Sequence, residues 1–218
     1  MDDNLEKMDS FFDKRIETYE EHMFNEVHGA KEAYLEIAKY IPAIKNMRLV
    51  DLGCGTGLEL EEIYKKNSSM IVTGIDLSNE MLLKFRQKFG DKEVELFNMS
   101  YFDFDYGLEQ FEASVSCMTQ HHFTPEEKLG LYTKVCDGLV PGGIYAECDY
   151  MAPDQEFEDF GFAESKRIRE ENGISEGIYH LDMPCTVENQ MELLLQAGFS
   201  HVEMVWRMGA TVMLVCDK

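Results

Sequence analysis

The sequence predicts an α/β chain on a doubly wound, mostly parallel sheet of seven strands, closed by a C-terminal antiparallel hairpin. Three observations carry this. Short apolar runs alternate with amphipathic stretches through residues 47–150, a pattern that packs as a parallel sheet with helices on both faces. The first run, Val50-Asp51-Leu52, enters the glycine-rich turn Gly53-Cys54-Gly55-Thr56-Gly57, and the second ends on an acid in Gly74-Ile75-Asp76. Two final apolar runs, 199–206 and 210–216, meet at Met208-Gly209 and read as a hairpin on the edge of the sheet.

The elements follow in order. Leu5, Met8, Phe11, Phe12, Ile16 and Tyr19 alternate with acidic positions and suggest a short amphipathic helix or cap over residues 1–20. Ala33, Leu35, Ile37, Ala38 and Ile41 mark a helix over 28–41, stopped by Pro42. Strand 47–52, helix 57–66, strand 70–76, helix 78–89 and strands 93–97 and 112–117 come next, then helix 125–138 and strand 143–150. Ser78 and the Thr124-Pro125 pair supply helix starts. Residues 154–172 are acidic and helical, with Asp154–Asp159 read as a solvated face. Residues 173–185 read as loop, and helix 187–197 ends at Gly198.

Composition excludes several classes. Apolar content of 44% and charged content of 28% suit one globular domain, residues 1–218. No window approaches ~18 consecutive apolar residues, so no membrane span is expected. The start, Met1-Asp2-Asp3-Asn4-Leu5-Glu6, has no secretory h-region, and a cytoplasmic protein is expected. The six cysteines, at 54, 117, 136, 148, 185 and 216, form no C-x-x-C pair and are read as reduced and buried; no metal site is expected. A net charge of −22 repels phosphate backbones, so nucleic acid is disfavoured against a small molecule or a protein.

The glycine turn calls for a nucleotide-like ligand: backbone close to the ligand, a helix N-terminus facing it, and a carboxylate for ribose hydroxyls. In Gly53-x-Gly55-x-Gly57 the third glycine falls one residue too early for the nicotinamide fingerprint G-x-G-x-x-G, and no P-loop pattern is present. Asp51, at the strand end, suits a cationic ligand better than a pyrophosphate.

Asp51-Leu52-Gly53-Cys54-Gly55-Thr56-Gly57 resembles motif I of the class I S-adenosylmethionine-dependent methyltransferases. Asp76 stands where that family places its ribose-binding acid. Asn98, in Phe97-Asn98-Met99-Ser100, replaces the Asp that usually meets the adenine amine. Val115–Phe123 resembles the segment after the family's fourth strand, and Leu139-Val140-Pro141-Gly142-Gly143 its turn into the fifth. Phe12-Asp13 with Tyr19, and the tail Glu188–Phe199, look like the branch holding tRNA wobble-uridine carboxymethyltransferases and small-molecule methyltransferases. The resemblance implies a Rossmann-like methyltransferase fold, S-adenosylmethionine as cofactor, and methyl transfer to a small molecule by in-line displacement. A tRNA or protein methyltransferase, or a non-catalytic cofactor-binding module, stand as alternatives. Cofactor contacts are expected from Asp51, Gly53, Cys54, Gly55, Gly57, Asp76, Leu77, Asn98, Met99, Cys117 and Met118.

The acceptor side is less marked. His121 and His122 sit at the exit of the fourth strand, where a histidine can act as a base; packing is the preferred reading of both. Glu147 and Asp149 alternate on the fifth strand, and Glu147 is a catalytic candidate. Tyr19, His22, His28, Tyr150, Tyr179, His180, Trp206 and Arg207 are rim candidates. Residues 1–42 and 150–186 are expected to cover the acceptor pocket.

Overall fold

The computed structural model describes residues 5–218; Met1–Asn4, part of the acidic start, lie outside the described residues. Seven strands, β1 (Arg48–Leu52), β2 (Ile71–Asp76), β3 (Val94–Asn98), β4 (Phe111–Cys117), β5 (Leu139–Tyr150), β6 (His201–Met208) and β7 (Thr211–Asp217), form one sheet in the order β3-β2-β1-β4-β5-β7-β6. The first five strands pair parallel, while β7 runs antiparallel to both β5 and β6. The hairpin turns through Gly209-Ala210, one residue beyond the expected Met208-Gly209.

Side chains alternate across the strands and build two cores. On one face α3 (Ala30–Tyr40), α4 (Leu58–Lys66) and α5 (Asn79–Phe89) bury Ile37, Leu60, Ile63 and Phe85 against Leu49, Val72 and Met213. On the other, α6 (Pro125–Gly138) and α8 (Val187–Gln196) bury Leu131, Tyr132 and Leu194 against Val50, Leu52 and Leu214. Each such fully buried aliphatic side chain contributes about 1.5–3 kcal/mol, so the strand ends are fixed on a rigid support. Caps set the helix starts: Ser78 Oγ accepts from the Met81 N–H, and Thr124 and Glu127 form a reciprocal capping box.

The N-terminal region departs from the expected single helix. It forms α1 (Met8–Arg15) and α2 (Tyr19–Asn25), because the chain turns at 16–18, where Lys84 Nζ donates to the Ile16 carbonyl at 2.6 Å. β5 starts at Leu139 rather than 143, pairing with Phe111 before a register shift around the Pro141-Gly142-Gly143 turn. In the expected solvated face of α7 (Gln155–Glu171), Glu158 is buried and accepts from the Thr186 N–H at 2.5 Å.

The two expected cover segments meet. Lys7 bridges Tyr179, Met8 N–H donates to the Ile178 carbonyl, and His180 N–H donates to the Glu6 carbonyl. Together they roof the carboxyl ends of β1, β2, β4 and β5, where the strand order switches direction between β1 and β4 and open α/β sheets bind ligands. No helix among the described residues is long and apolar enough to cross a membrane.

Candidate active site

The glycine turn is held by the sheet beneath it. Gly53 and Cys54 N–H groups both donate to the Ile75 carbonyl, at 2.8 and 3.1 Å. Gly57 has φ +76° and opens α4; a Cβ there would stand 2.6 Å from the Phe89 ring and 2.8 Å from Phe85. Only glycine meets both demands. A Cβ on Gly55 would meet only ordinary van der Waals contacts, the nearest being the Tyr19 hydroxyl at 3.7 Å.

Asp76 closes the loop. Its Oδ2 accepts from the Gly55 N–H and its Oδ1 from the Ser78 N–H, both at 2.8 Å. Burial raises its pKa to about 6, although the two backbone donors pull the other way. A carboxylate oxygen has two lone pairs, so each Asp76 oxygen keeps one for a further donor. The narrow cleft above holds about 50 Å³ and is lined by Gly53, Gly55, Asp76, Leu77, Cys117 and Met118 together with Met8, Phe12, Tyr19 and Thr119. Six of the eleven residues expected to meet the cofactor therefore share one cleft.

The other five lie around it. Asp51 and Cys54 are buried under the turn, and Gly57 packs on the α5 rings. Asn98 is exposed, its amide donating to the Leu77 and Asp76 carbonyls at 2.8 and 3.2 Å, so it braces the Asp76 backbone; Met99 packs on the second core. Asp51 is instructive. Neither of its carboxylate oxygens finds a hydrogen-bond partner among the described residues. Burial first, then the neighbouring Glu59 carboxyl, push its pKa well above the ordinary range.

These features fit an adenosylated sulfonium. The spare Asp76 lone pairs match the vicinal hydroxyls of a ribose. The cleft is smaller than the roughly 300–1,000 Å³ of ordinary ligand pockets, with Met8, Phe12 and Tyr19 from the N-terminal helices closing part of its wall.

A second cavity of about 940 Å³ adjoins the first, lined by Phe11, Arg15, His121, Tyr150, His180 and Asp182 among others. Phe12, Tyr19, Met118 and His122 line both. Met118 has φ +54°, a left-handed backbone that is costly for a side-chain-bearing residue, and its N–H is held by the Cys148 carbonyl at 2.8 Å. Of the rim candidates, Tyr19, His22, Tyr150 and His180 line this cavity, whereas His28, Tyr179, Trp206 and Arg207 do not.

Polar groups converge on its floor. His121 Nδ1 meets Asp149 Oδ1 in a short contact, while Asp149 also accepts from the Gln120 and Tyr150 N–H groups at 2.6 and 2.7 Å. Burial alone would lower the His121 pKa, but Asp149 and then Asp182 outweigh it and leave the ring raised. His122 is lowered by burial and by its charged neighbour. His180, stacked on Phe11 at 3.6 Å, falls to about 4 through burial and the nearby histidines.

Glu147 lines neither cavity. It is fully buried, accepting from Tyr132 and Tyr145 hydroxyls at 2.7 and 2.9 Å and from Gln190 Nε2 at 2.5 Å, and burial followed by Asp149 raises its pKa to about 7. Alternation does put it on the same face as Asp149, but two residues earlier on β5, below the strand end, where it braces α6 and α8. Asp182 had no sequence signal; it reaches the site only because the roof folds back over β4.

Known proteins carry the same plan. The methyltransferase-domain family matches residues 49–143, the span from β1 into the start of β5. The carboxy-S-adenosyl-L-methionine synthase of Wolinella succinogenes is 30% identical over 173 residues, 72% of this chain and 70% of that protein. The chain belongs to the class I S-adenosylmethionine-dependent methyltransferases. The enzyme of the same description from Nautilia profundicola is 27% identical over 176 residues, covering 73% of this chain and 72% of that one. An S-adenosylmethionine-dependent methyltransferase structure from Mesorhizobium loti shares the fold with a TM-score of 0.61 at 20% identity, over 84% of this chain and 96% of that one. This methyltransferase-family enzyme uses S-adenosylmethionine as its cofactor.

Proposed function

We propose that the enzyme transfers the methyl group of S-adenosylmethionine to a small molecule held in the cavity of about 940 Å³. One observation carries the proposal: Phe12, Tyr19, Met118 and His122 line both the glycine-loop cleft and the larger cavity, so the donor space opens onto the acceptor space. When bound, the cofactor supplies an electrophilic methyl carbon on a good leaving group, and transfer is an in-line displacement.

Asp76 accepts the ribose hydroxyls through its two remaining lone pairs. Gly53, Gly55, Leu77, Cys117 and Met118 form the walls of the cofactor site, with Asp51, Cys54 and Gly57 shaping the turn from below and Asn98 and Met99 at the adenine edge. Residues 1–42 and 150–186 cover a single domain, and the α1 and α2 aromatics Phe12 and Tyr19 exclude water from the junction. Asp149 fixes the His121 ring, which lines the acceptor cavity and orients a polar atom there. The net charge of −22 favours a small acceptor over tRNA.

A second reading is favoured by the named relatives and by Arg15, a cation lining the acceptor cavity. Here the cofactor is itself the acceptor of a carboxyl group, and Arg15 holds a carboxylate-bearing donor. Mass spectrometry of the nucleoside product, after incubating enzyme and cofactor with a metabolite extract, separates the two. S-adenosylhomocysteine supports methyl transfer and a carboxylated sulfonium supports the second reading; an unchanged cofactor overturns both.

A further inference from the structure

His121, His122 and Asp182 form a cluster of metal-ligating side chains at the acceptor end. Each of His121, His122 and Asp182 offers one ligand atom, and the three lie within 4.8 Å of one another on the wall of the larger cavity. Asp182 Oδ1 stands 3.2 Å from His122 Nδ1 and 3.7 Å from His121 Nε2. Two ligand atoms about 2.0–2.1 Å from one tetrahedral ion are separated by about 3.4 Å, between these two distances.

We propose that this triad binds a divalent first-row transition cation, of the zinc or cobalt kind, at the acceptor end of the active site. Two imidazole nitrogens and one carboxylate oxygen with an open side are the donor set of an ion that keeps a position for water or substrate. The surroundings fit. Asp149 engages His121 Nδ1, which leaves Nε2 as the ligand atom and fixes the ring in the manner of a carboxylate–histidine–metal triad. His122 Nδ1 donates to the Leu181 carbonyl at 3.1 Å, so a cation on that nitrogen displaces this proton and finds the carbonyl oxygen beside it. The Asp182 side chain is 53% exposed, which gives the ion an entry path.

The role assigned to the ion rests on the acceptor-cavity reading: its open position would seat an oxygen or nitrogen of the acceptor and point it toward Met118 and the cofactor cleft. The absence of ligand spacing in the sequence does not oppose this, since the third ligand arrives from the folded-back roof.

The test needs no turnover. Chelator-treated protein is titrated with Zn²⁺ by calorimetry and with Co²⁺ by visible absorption, in the absence of cofactor. One equivalent of each is expected to bind, with visible bands for the cobalt protein. Asp182→Asn, at a half-exposed side chain, should weaken binding about 10–100-fold or more, whereas His201→Ala, at an exposed histidine, should leave it unchanged. S-adenosylhomocysteine binding by Asp182→Asn should stay intact, so failure of the metal site is distinguishable from failure of the cofactor site. No saturable binding, or binding that survives Asp182→Asn, overturns the proposal.

Discussion

The two cavities of this enzyme are built in opposite ways. The donor cleft is organised by backbone and one carboxylate, the Gly53–Gly57 turn after β1 and Asp76 at the end of β2, with side chains from α1, α2 and the end of β4 closing its walls. The acceptor cavity is mostly side chains, contributed by α1, α2, the turn after β4, the end of β5 and the 177–185 loop. A backbone site needs fixed glycines and a fixed acid, and it tolerates little change. A side-chain site can change ligand by substitution, without rebuilding the sheet.

That difference decides what sequence reveals. Gly53, Gly55, Gly57 and Asp76 lie in two short segments whose spacing is set by one turn and one strand, so local pattern found them. The seven strands were legible for the same reason, each being a local apolar run with its own cap or turn. His122 and the Leu181 carbonyl, by contrast, are 59 residues apart and meet only through the tertiary path of the roof. Glu147 and Asp149 look equivalent on β5. Only the packing of Tyr132, Tyr145 and Gln190 around the first assigns it to the core. The split between α1 and α2 was also hidden, because a lysine from α5 caps the turn between them.

If the halves are separable, lesions should sort between turnover, stability and cofactor affinity. The largest effect is expected at Asp149→Asn, which loosens the His121 ring: turnover should fall about 10²-fold while S-adenosylhomocysteine affinity holds. Parallel kinetics and calorimetry check this, and equal losses in both would merge the two halves. Gly57→Ala forces a side chain into a left-handed position against Phe89, and should cost about 2–4 kcal/mol in urea unfolding.

Glu147→Gln sharpens the assignment of that residue to the core. Its folded pKa of about 7 lies above the ordinary 4.5, so the carboxyl's contribution to stability is complete below about 4.5 and is lost as pH rises through 7. The wild type should therefore lose up to about 3 kcal/mol across that window that the Gln variant does not lose. Melting temperatures across the window measure it, and coincident pH profiles would show that Glu147 titrates normally. The smallest effect is expected where α1 docks on the start of α5. Asp13 accepts from Ser78 Oγ at 2.5 Å, and Asp13→Ala should remove about 1 kcal/mol of that docking, read as weaker S-adenosylhomocysteine binding by calorimetry.

The assignment of the glycine-loop cleft to the donor turns on Asp76, the carboxylate in its lining. The most direct measurement is calorimetric titration of S-adenosylhomocysteine into wild type and Asp76→Ala at pH 8, above the Asp76 midpoint of about 6. Saturable binding by the wild type and a loss of about 100-fold or more in the variant is the expected result, since two charge-assisted hydrogen bonds go at once. Equal affinity in the two proteins, with the variant folded by circular dichroism, would contradict it.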